Sequence, residues 1–391
     1  MPTGPDPVRA IVLVNSLAGG GAERVVTRLL GAMASRAGAG AYRLALLDPV
    51  VAYELPAGVP VHVLGRRIRN RVWRMLAQVV SVVRLVRLVR RERPAAILSF
   101  MTRSNIVALA GRRLARAWPP TVVSERVAVS ENYRGLCGLL ARAAIRRLYP
   151  RADRVVAVSR GVAEELEALG VARGRVVVIP NPVDPDELEI QSRTGPPHRW
   201  ADGRVPLLVG VGRLEPQKGF HVLLEALRRL RTGREVRLVV FGEGQARGAL
   251  ESQARRLGLA GSVEWVGFHP NPFPTVARAD VFVLPSLWEG FPNALLEAMA
   301  LGRAVVASDC RWGPRELLAD GECGLLVPPA EPGALAAAIE RLLASEPLRR
   351  EYGERARRRA AAFALPGIAG RYLEVLESCL EAAAPPAPAT L

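Results

Sequence analysis

Two glutamates, Glu289 and Glu297, stand eight residues apart, and their carboxylates could bind the hydroxyl groups of a ligand. Pro292 lies between them and fits the first position of a helix, where a missing amide hydrogen does no harm. We therefore expect the amides that follow it and the helix dipole to favour an anion. Asn293 and Glu297 are four residues apart and share one helix face, where a carboxylate could accept two hydrogen bonds from a sugar diol.

The context of Glu289 distinguishes this interpretation from an ordinary loop with solvated glutamates. Glu289 comes soon after the buried-strand candidate Val281–Pro285, and Gly290 and Pro292 follow it. Ligands of open α/β sheets bind beyond the carboxyl ends of the strands, so this context favours a binding role. Glu289 could then hold a second hydroxyl group of the ligand.

Two cations follow another buried-strand candidate, Pro206–Gly212. Arg213 and Lys218 lie five residues apart, around Pro216 and Gly219. A guanidinium fork and a compact ammonium group both suit a diphosphate. The alternative is that Arg213 is one surface arginine among 53. Lys218 is the single lysine among 54 basic residues. Because the bias of the sequence would have favoured arginine at this position, the presence of a lysine favours a specific role in phosphate binding.

A glycine-rich turn, Gly19–Gly21, follows the first apolar run and could bring a ligand close to backbone amides. It is not a dinucleotide fingerprint, because Arg24 stands where GxGxxG requires its third glycine. A purely structural role for the turn fits equally well.

Asp184 and Asp186 match a DxD metal pattern, but their proline-rich surroundings predict a turn, and we expect no metal.

A strand, a loop and a helix must position these residues, and the sequence contains that order twice. Val8–Ser16 and Pro206–Gly212 are apolar runs, each followed by a glycine-bearing loop and then by apolar residues at helical spacing. Further short apolar runs are Ala95–Phe100, Thr121–Ser124, Val155–Ser159, Val176–Pro180, Arg237–Phe241, Val263–Gly267, Val281–Pro285 and Ala304–Ser308. Parallel strands covered on both faces show such runs, so we predict an α/β fold of two Rossmann-like, doubly wound domains facing across a cleft.

The composition excludes several classes of protein. Of 391 residues, 50% are hydrophobic and 23% are charged, which excludes a disordered chain. No apolar run approaches the ~18 residues of a membrane span, and Met1–Ala10 does not resemble a secretory signal, so we expect a cytoplasmic protein. The scattered cysteines indicate neither a disulfide framework nor a zinc site; they are Cys137, Cys310, Cys323 and Cys379.

The formal net charge of +17 comes mainly from the first half of the chain. Residues 1–195 hold 30 arginines against 15 carboxylates, whereas the remainder holds 24 basic and 22 acidic residues. Within Arg66–Arg93 a polar stripe recurs at helical spacing, formed by Arg67, Arg71, Arg74, Gln78, Ser81, Arg84, Arg87 and Arg91. The other side is apolar, formed by Val72, Met75, Val79, Val82, Val83, Val86 and Val89.

This stretch fits an amphipathic helix on an anionic membrane and, equally, a surface helix that packs its valines inward. A nearby basic cluster between Arg142 and Arg154 leaves both interpretations open. Nucleic acid fits less well, because aromatic residues make up only 5% of the chain and no stacking motif is present.

The stretch Glu289–Ala300 resembles the GT-B glycosyltransferases of family 4, which are retaining enzymes that use nucleotide sugars. The resemblance covers nearly the whole chain. Its other matching segments are Gly19–Glu23, Ala157–Ser159, Ile179–Asp184, Val211–Leu214, Lys218–Gly219, Phe241–Gly244, Gly313–Glu316 and Gly324–Pro328.

The resemblance implies a role for each matching residue. Arg213 and Lys218 would hold the donor diphosphate and, with the helix that begins near Pro292, stabilise the charge of the leaving group. Glu289 would be the third catalytic residue. Glu297 would bind the ribose and Glu289 the donor sugar. The donor would also contact Gly20, Gly21, Phe291, Pro292, Asn293 and Ala294. Such enzymes work without a metal or another cofactor.

The first domain departs from the pattern of many members, which have a histidine near the donor sugar. Ser124, Glu125 and Arg126 stand in the corresponding loop here, a variant similar to members that act on polyprenyl-diphosphate-linked sugars. We therefore take Arg103, Asn105, Ser124 and Arg126 as candidates on the acceptor side.

We divide the chain into an acceptor-binding domain (1–190), a linker (191–204), a nucleotide-sugar-binding domain (205–365), a helix that could pack back on the first domain (366–381) and a disordered tail (382–391).

The predicted enzyme moves a hexose or N-acetylhexosamine from a nucleotide sugar, with UDP favoured, to a lipid-linked or cell-surface glycan. We expect no nucleic-acid partner, and contact with an anionic membrane from the cytoplasmic side stays open. The alternatives are a sugar-nucleotide epimerase of the same fold and a non-catalytic basic protein that binds membrane or nucleic acid.

Overall fold

The computed structural model describes residues 8–18, 20–66, 71–115, 117–132 and 135–383, and it divides the chain into two compact units. The first unit extends to Pro182 and takes up the chain again at Leu365, and the second unit is Val183–Ala364. Gly19, Arg67, the side chains of residues 71–77 and of Cys137, and the predicted tail from residue 384 onward lie outside the described residues.

In its described residues, the first unit contains seven parallel strands and seven α-helices. The strands are β1 (Ala10–Val14), β2 (Tyr42–Leu46), β3 (Val61–Val63), β4 (Ala96–Phe100), β5 (Thr121–Glu125), β6 (Arg154–Ala157) and β7 (Val176–Val178). The helices are α1 (Gly21–Ala37), α2 (Arg71–Glu92), α3 (Thr102–Leu114), α4 (Val129–Asn132), α5 (Gly135–Leu148), α6 (Arg160–Ala168) and, after the second unit, α15 (Leu365–Ala383). The sheet order is β3-β2-β1-β4-β5-β6-β7.

The second unit has the same plan with six parallel strands. They are β8 (Leu207–Val211), β9 (Arg237–Phe241), β10 (Val263–Gly267), β11 (Val281–Leu284), β12 (Val305–Ser308) and β13 (Leu325–Val327). The helices are α7 (Pro185–Arg193), α8 (Phe220–Leu230), α9 (Arg247–Arg256), α10 (Phe273–Val276), α11 (Asn293–Ala300), α12 (Pro314–Leu317), α13 (Pro332–Leu343) and α14 (Glu346–Ala361). The sheet order is β10-β9-β8-β11-β12-β13.

The unbroken apolar runs form strands because both faces of each sheet are covered. In β1, Val12 packs into a core shared with α1 and α15, whereas Ile11 and Leu13 pack into a core shared with α2 and α3. Successive side chains point to opposite faces of a strand, so every residue of β1 is buried. The predicted α/β class with two doubly wound sheets is confirmed.

The predicted faces of α2 are partly wrong. Val79 and Val83 are exposed, Val79 by 62%, whereas Ser81 from the predicted polar stripe is only 1% exposed. The buried face is completed by Leu85 and Leu88, which the valine pattern did not include. A helix face is chosen by what packs against it, here α3, and not by valine spacing alone. No helix in the described part of the chain is both long and apolar enough to cross a membrane.

Candidate active site

Two loops of the second unit meet because the strands before them are neighbours. β8 and β11 pair in parallel, so the segments after Val211 and Leu284 leave the sheet at the same edge. Gln217 joins the two loops: its carbonyl oxygen accepts a hydrogen bond from the Leu287 amide at 2.8 Å, and its Nε2 donates to the Trp288 carbonyl at 2.9 Å. Spacing could not identify Gln217, because its partners lie about seventy residues further along the chain.

Gly219 allows the cation-bearing loop to lie this close to the end of β11. Its φ of +65° is in the left-handed region, and a Cβ atom there would lie 1.9 Å from the Pro285 carbonyl oxygen. Any other residue would therefore push the Lys218 segment away from the sheet.

Lys218 and Glu289 form an ion pair across these loops. The Lys218 Nζ lies 2.6 Å from Glu289 Oε1, and the Ser286 hydroxyl donates to the same oxygen at 2.6 Å. The two side chains are only 17% and 6% exposed. An ammonium group has three donors, so the contact with Glu289 leaves Lys218 able to bind a phosphate oxygen as well.

Arg213 is the exposed cation of this edge. Its Nη2 donates to Gln217 Oε1 at 3.2 Å, a neutral acceptor that orients the guanidinium without cancelling its charge. Among the described residues, no carboxylate lies within ion-pair distance of Arg213. The fork of Arg213 thus keeps its full charge for an anion.

Helix α11 begins one residue later than the sequence predicted. Pro292 has a ψ of 91°, which is not helical, and its carbonyl already accepts from the Leu296 amide, so it is the N-cap and Asn293 is the first helical residue. The correction preserves the chemistry, because a helix supplies no internal acceptor for its first amides. Here these are the amides before Leu295, whose own amide donates to the Pro292 carbonyl at 3.1 Å. Ala294 belongs to the first turn.

The side chains around the start of α11 differ in burial. Phe291 is buried and packs its ring against Phe363 at a centroid distance of 5.8 Å, so its contribution to a ligand would come from its backbone. Glu297 is also buried, one turn into the helix. Cys310 is a buried thiol near Glu289. Burial raises its pKa, and the negative charge of Glu289 raises the pKa further, so this thiol stays protonated.

In the first unit, Gly20 is the N-cap of α1, and Gly21 is its first residue. The Gly20 amide donates to Glu23 Oε2 at 2.7 Å, and the Ser16 hydroxyl donates to Glu23 Oε1 at 2.9 Å. A carboxylate of the helix itself thus lies at the N-terminus of α1.

The acceptor-side candidates lie at the carboxyl edge of the first sheet. Arg103 pairs with Asp48 at 2.6 Å. The Ser124 hydroxyl is 3.2 Å from the Tyr372 hydroxyl of α15, and Asn105 Nδ2 donates to the Ser124 carbonyl at 3.0 Å. Ser124 and Asn105 are fully buried.

A buried carboxyl group, Glu125, lies at the centre of these residues. It accepts hydrogen bonds from the Thr102 hydroxyl at 2.9 Å and from the Tyr149 hydroxyl at 2.6 Å, and Tyr149 accepts one from Asn105 at 3.0 Å. Burial raises the pKa of Glu125 to about 7 in spite of these donors. The sequence Ser124-Glu125-Arg126 gave no sign of a role for Glu125, because burial and partners distant along the chain leave no local pattern.

Arg126 is enclosed as well, at 4% exposure. Its Nη1 donates to Asn181 Oδ1 at 2.7 Å, and its guanidinium lies 5.1 Å from the centre of the Phe100 ring. Within the described residues, its Nε and Nη2 atoms have no hydrogen-bond partner. Burial lowers the pKa of Arg126, because its charge is removed from water.

The DxD motif has a structural role. Asp184 is the N-cap of α7, and its Oδ1 accepts a hydrogen bond from the Glu187 amide at 3.1 Å. The side chain thus bonds to the backbone, but at the start of a helix and not in the predicted turn. Across the residues that the structure describes, no group of three or more His, Cys, Asp or Glu side chains could hold a metal ion.

Comparison with known proteins identifies both units. The family model described as Glycosyltransferase Family 4 matches residues 19–187, and the model described as Glycosyl transferases group 1 matches residues 199–359. The chain is 28% identical over 370 residues to N-acetylgalactosamine-N,N'-diacetylbacillosaminyl-diphospho-undecaprenol 4-alpha-N-acetylgalactosaminyltransferase from Campylobacter jejuni, covering 93% of this chain and 98% of the relative.

Two solved structures have a similar fold over nearly the whole chain. Sucrose-phosphate synthase from Thermosynechococcus elongatus superposes with a TM-score of 0.80 at 22% identity, covering 96% of this chain and all of the other. Alr3699/HepE from Anabaena, solved in complex with UDP, gives a TM-score of 0.77 at 22% identity, covering 95% of this chain and all of the other. Both units thus have the GT-B type of Rossmann-like fold. The chain thus belongs to the glycosyltransferases, with a Glycosyltransferase Family 4 domain followed by a Glycosyl transferases group 1 domain.

Proposed function

We propose that this chain is a retaining, metal-independent glycosyltransferase that moves a hexose or N-acetylhexosamine from UDP to a lipid-linked glycan. The observation that carries the proposal is the edge formed by Arg213, Lys218 and Glu289 beside the first turn of α11. An exposed guanidinium, an ammonium group with unused donors and a helix N-terminus together suit a diphosphate.

The chemistry proposed for this edge is electrostatic. The bond between the anomeric carbon and the diphosphate oxygen breaks, and a bond from that carbon to the acceptor oxygen forms on the same face. The acceptor proton leaves with the departing diphosphate. Arg213, Lys218 and the first-turn amides of α11 stabilise the charge that develops, because they are held in position before the reaction starts.

Two relatives support the choice of substrates. Alr3699/HepE was solved with UDP, which supports a UDP-linked donor here. The name of the Campylobacter jejuni relative specifies a diphospho-undecaprenol-linked saccharide, which supports a polyprenyl-diphosphate acceptor. Glu289 would contact the donor sugar and Glu297 the ribose, where a buried carboxylate can accept two hydrogen bonds from a diol. Gly20, Gly21 and the candidates Arg103, Asn105, Ser124 and Arg126 stay predictions.

A donor panel tests the proposal. The purified protein is incubated with UDP-, GDP- and ADP-sugars, with and without a polyprenyl-diphosphate saccharide, and the nucleotides and donor sugars are analysed. Release of UDP that requires the acceptor, with retained anomeric configuration in the product, is expected. An epimerised donor without acceptor would identify an epimerase instead, and no change in any donor would refute the catalytic proposal.

We also propose that the first unit contacts an anionic membrane surface, where a lipid-linked acceptor would be found. The exposed face of α2 has two parts: Val79, Val80 and Val83 come first, and Arg84, Arg87, Arg90 and Arg91 follow. On α5, which also packs against α3, Leu139 and Leu140 are exposed ahead of further arginines. Exposed apolar residues beside basic ones suit insertion between anionic headgroups.

Flotation with phosphatidylglycerol vesicles tests the membrane contact. We expect Arg84→Gln/Arg87→Gln/Arg91→Gln and Val79→Ser/Val80→Ser/Val83→Ser each to reduce the bound fraction severalfold. The control, Arg231→Gln/Arg255→Gln/Arg256→Gln, removes the same charge from the second unit and should bind like the wild type. Equal binding by all four proteins would exclude α2 as the contact.

A further inference from the structure

A second concave site lies at the opposite edge of the second sheet. A cavity of about 410 Å³ opens beside Asp280 and Ala304, which directly precede β11 and β12, and one wall belongs to α14. The donor-site candidates follow β8 and β11, whereas the cavity residues Asp280 and Ala304 precede β11 and β12. Strand β11 has four residues, so the two sites are separated by at least about 13 Å along the strand. The cavity is therefore not part of the donor site.

Arginines dominate the lining of this cavity. Five of its thirteen lining residues are arginine, against 53 in the 391 residues of the chain, so the bias of the whole sequence does not account for them. They are Arg278, Arg303, Arg349, Arg350 and Arg357. The acidic lining residues are Asp280, Glu346 and Glu354, which leaves a formal excess of two positive charges.

The acidic residues compensate only part of the set. Arg349 pairs with Asp280 at 3.6 Å, and Arg350 pairs with Glu346 at 2.5 Å. In the described part of the chain, no carboxylate lies within 4.0 Å of the guanidinium groups of Arg278, Arg303 or Arg357. None of these three arginines is therefore compensated by an ion pair.

Neutral carbonyl groups orient two of the uncompensated arginines. Arg278 Nη1 donates to the Pro274 carbonyl at 3.1 Å, and Arg303 Nη1 donates to the Ala279 carbonyl at 3.4 Å. Burial also lowers the pKa of Arg303, although the negative charge of Asp280 opposes this shift. Positive charges are thus held in place at the cavity before any ligand arrives.

Two glycines bring α14 to the cavity. A Cβ atom at Gly353 would lie 2.4 Å from the Gly302 carbonyl oxygen, so only glycine lets the helix approach the loop after α11 this closely. Arg349, Arg350 and Arg357 lie three or four residues from Gly353 and share its helix face. The close helix–loop contact therefore places these three arginines around the opening.

We propose that this arginine cavity binds a small phosphorylated ligand with at least two negative charges. Planar guanidinium groups match phosphate oxygens with paired donors, and the volume lies within the range of small-molecule sites. A concave site with arginines on several sides suits a compact anion better than the extended backbone of a nucleic acid.

Binding of inorganic pyrophosphate, measured by titration calorimetry, tests the proposal. All proteins carry Arg213→Gln/Lys218→Gln/Glu289→Gln, which removes both donor-site cations and leaves no buried unpaired glutamate. This background should still bind pyrophosphate. Adding Arg278→Gln/Arg357→Gln, two exposed positions without a carboxylate partner, should weaken binding about tenfold or more.

The control adds Arg231→Gln/Arg256→Gln, two exposed arginines elsewhere in the same unit, and should bind pyrophosphate as the background does. Thermal melting verifies that each variant is folded. The proposal is overturned if the background does not bind pyrophosphate, or if the cavity and control variants weaken binding equally. Since no arm of the experiment depends on sugar transfer, its result is separate from that of the donor panel.

Discussion

The carboxyl edges of the two sheets place charged residues in opposite environments. In the second unit, Arg213 is exposed and oriented by a neutral partner, and Lys218 keeps donors beyond its contact with Glu289. In the first unit, Glu125 and Arg126 are enclosed, with neighbouring hydroxyl and amide groups bonded to one another. Strand-end position alone therefore does not identify a ligand site, because solvent access decides whether a polar group can meet a ligand.

The largest effect should come from the exposed edge. We expect Arg213→Ala to lower kcat/KM by about 10²–10³-fold, because it removes a preoriented charge from the leaving diphosphate. The protein should unfold at an unchanged urea concentration, since Arg213 packs against little. Arg231→Ala, another exposed arginine of the same unit, is the control. Equal activity of the two variants would show that this edge does not act on the donor.

The enclosed edge should affect stability instead. Because burial raises the pKa of Glu125 from 4.5 to about 7, ionising it penalises the folded state. This penalty is absent below pH 4.5, where the carboxyl group is protonated in both states, and is complete above pH 7. Relative to Glu125→Gln, the wild type should lose about 3 kcal/mol of unfolding free energy between those limits.

Urea unfolding of both proteins from pH 4.5 to pH 8 measures this difference. Thr121→Ser, a conservative change on the same strand, serves as a control and should follow the wild type at every pH. A constant difference between the wild type and Glu125→Gln would mean that Glu125 does not titrate in the folded state over this range.

The Lys218–Glu289 pair lies between these two extremes. Lys218→Gln should lower the free energy of unfolding by about 2 kcal/mol, because it leaves the Glu289 carboxylate without its cation; partial solvent access keeps this below the value for a fully buried pair. Lys218→Gln/Glu289→Gln should recover more than half of the loss. If the double variant is less stable than the single one, the pair is not coupled in the way its geometry indicates.

Glu297→Gln should have the smallest effect. An amide can accept only one of the two hydrogen bonds that a carboxylate accepts from a diol, so we expect the KM for the donor to rise about tenfold. The measurement is steady-state kinetics with varied UDP-sugar, and kcat should change little. A fall in kcat with constant KM would place Glu297 at the reacting centre instead of at the ribose.

Much of the fold could be predicted because its signals are local. Unbroken apolar runs indicated the strands at the centre of each sheet. The proline-rich surroundings of Asp184 indicated a turn, whereas the structure places Asp184 at the start of a helix. Strands β2, β3 and β13 were not predicted. Arg43 interrupts the apolar run of β2, and β3 and β13 have only three residues each; β7 is equally short, but it consists of valine alone. The start of α11 was misplaced by one residue, because proline is compatible with both the N-cap and the first helical position.

By itself, the sequence determined the two α/β units and the residues at their strand ends, because strand patterns and loop motifs depend on neighbours along the chain. Only the tertiary structure decided that Lys218 pairs with Glu289, that Glu125 is enclosed and that Val79 faces solvent. Pairing and burial depend on segments that are distant in sequence, so no local spacing contains them.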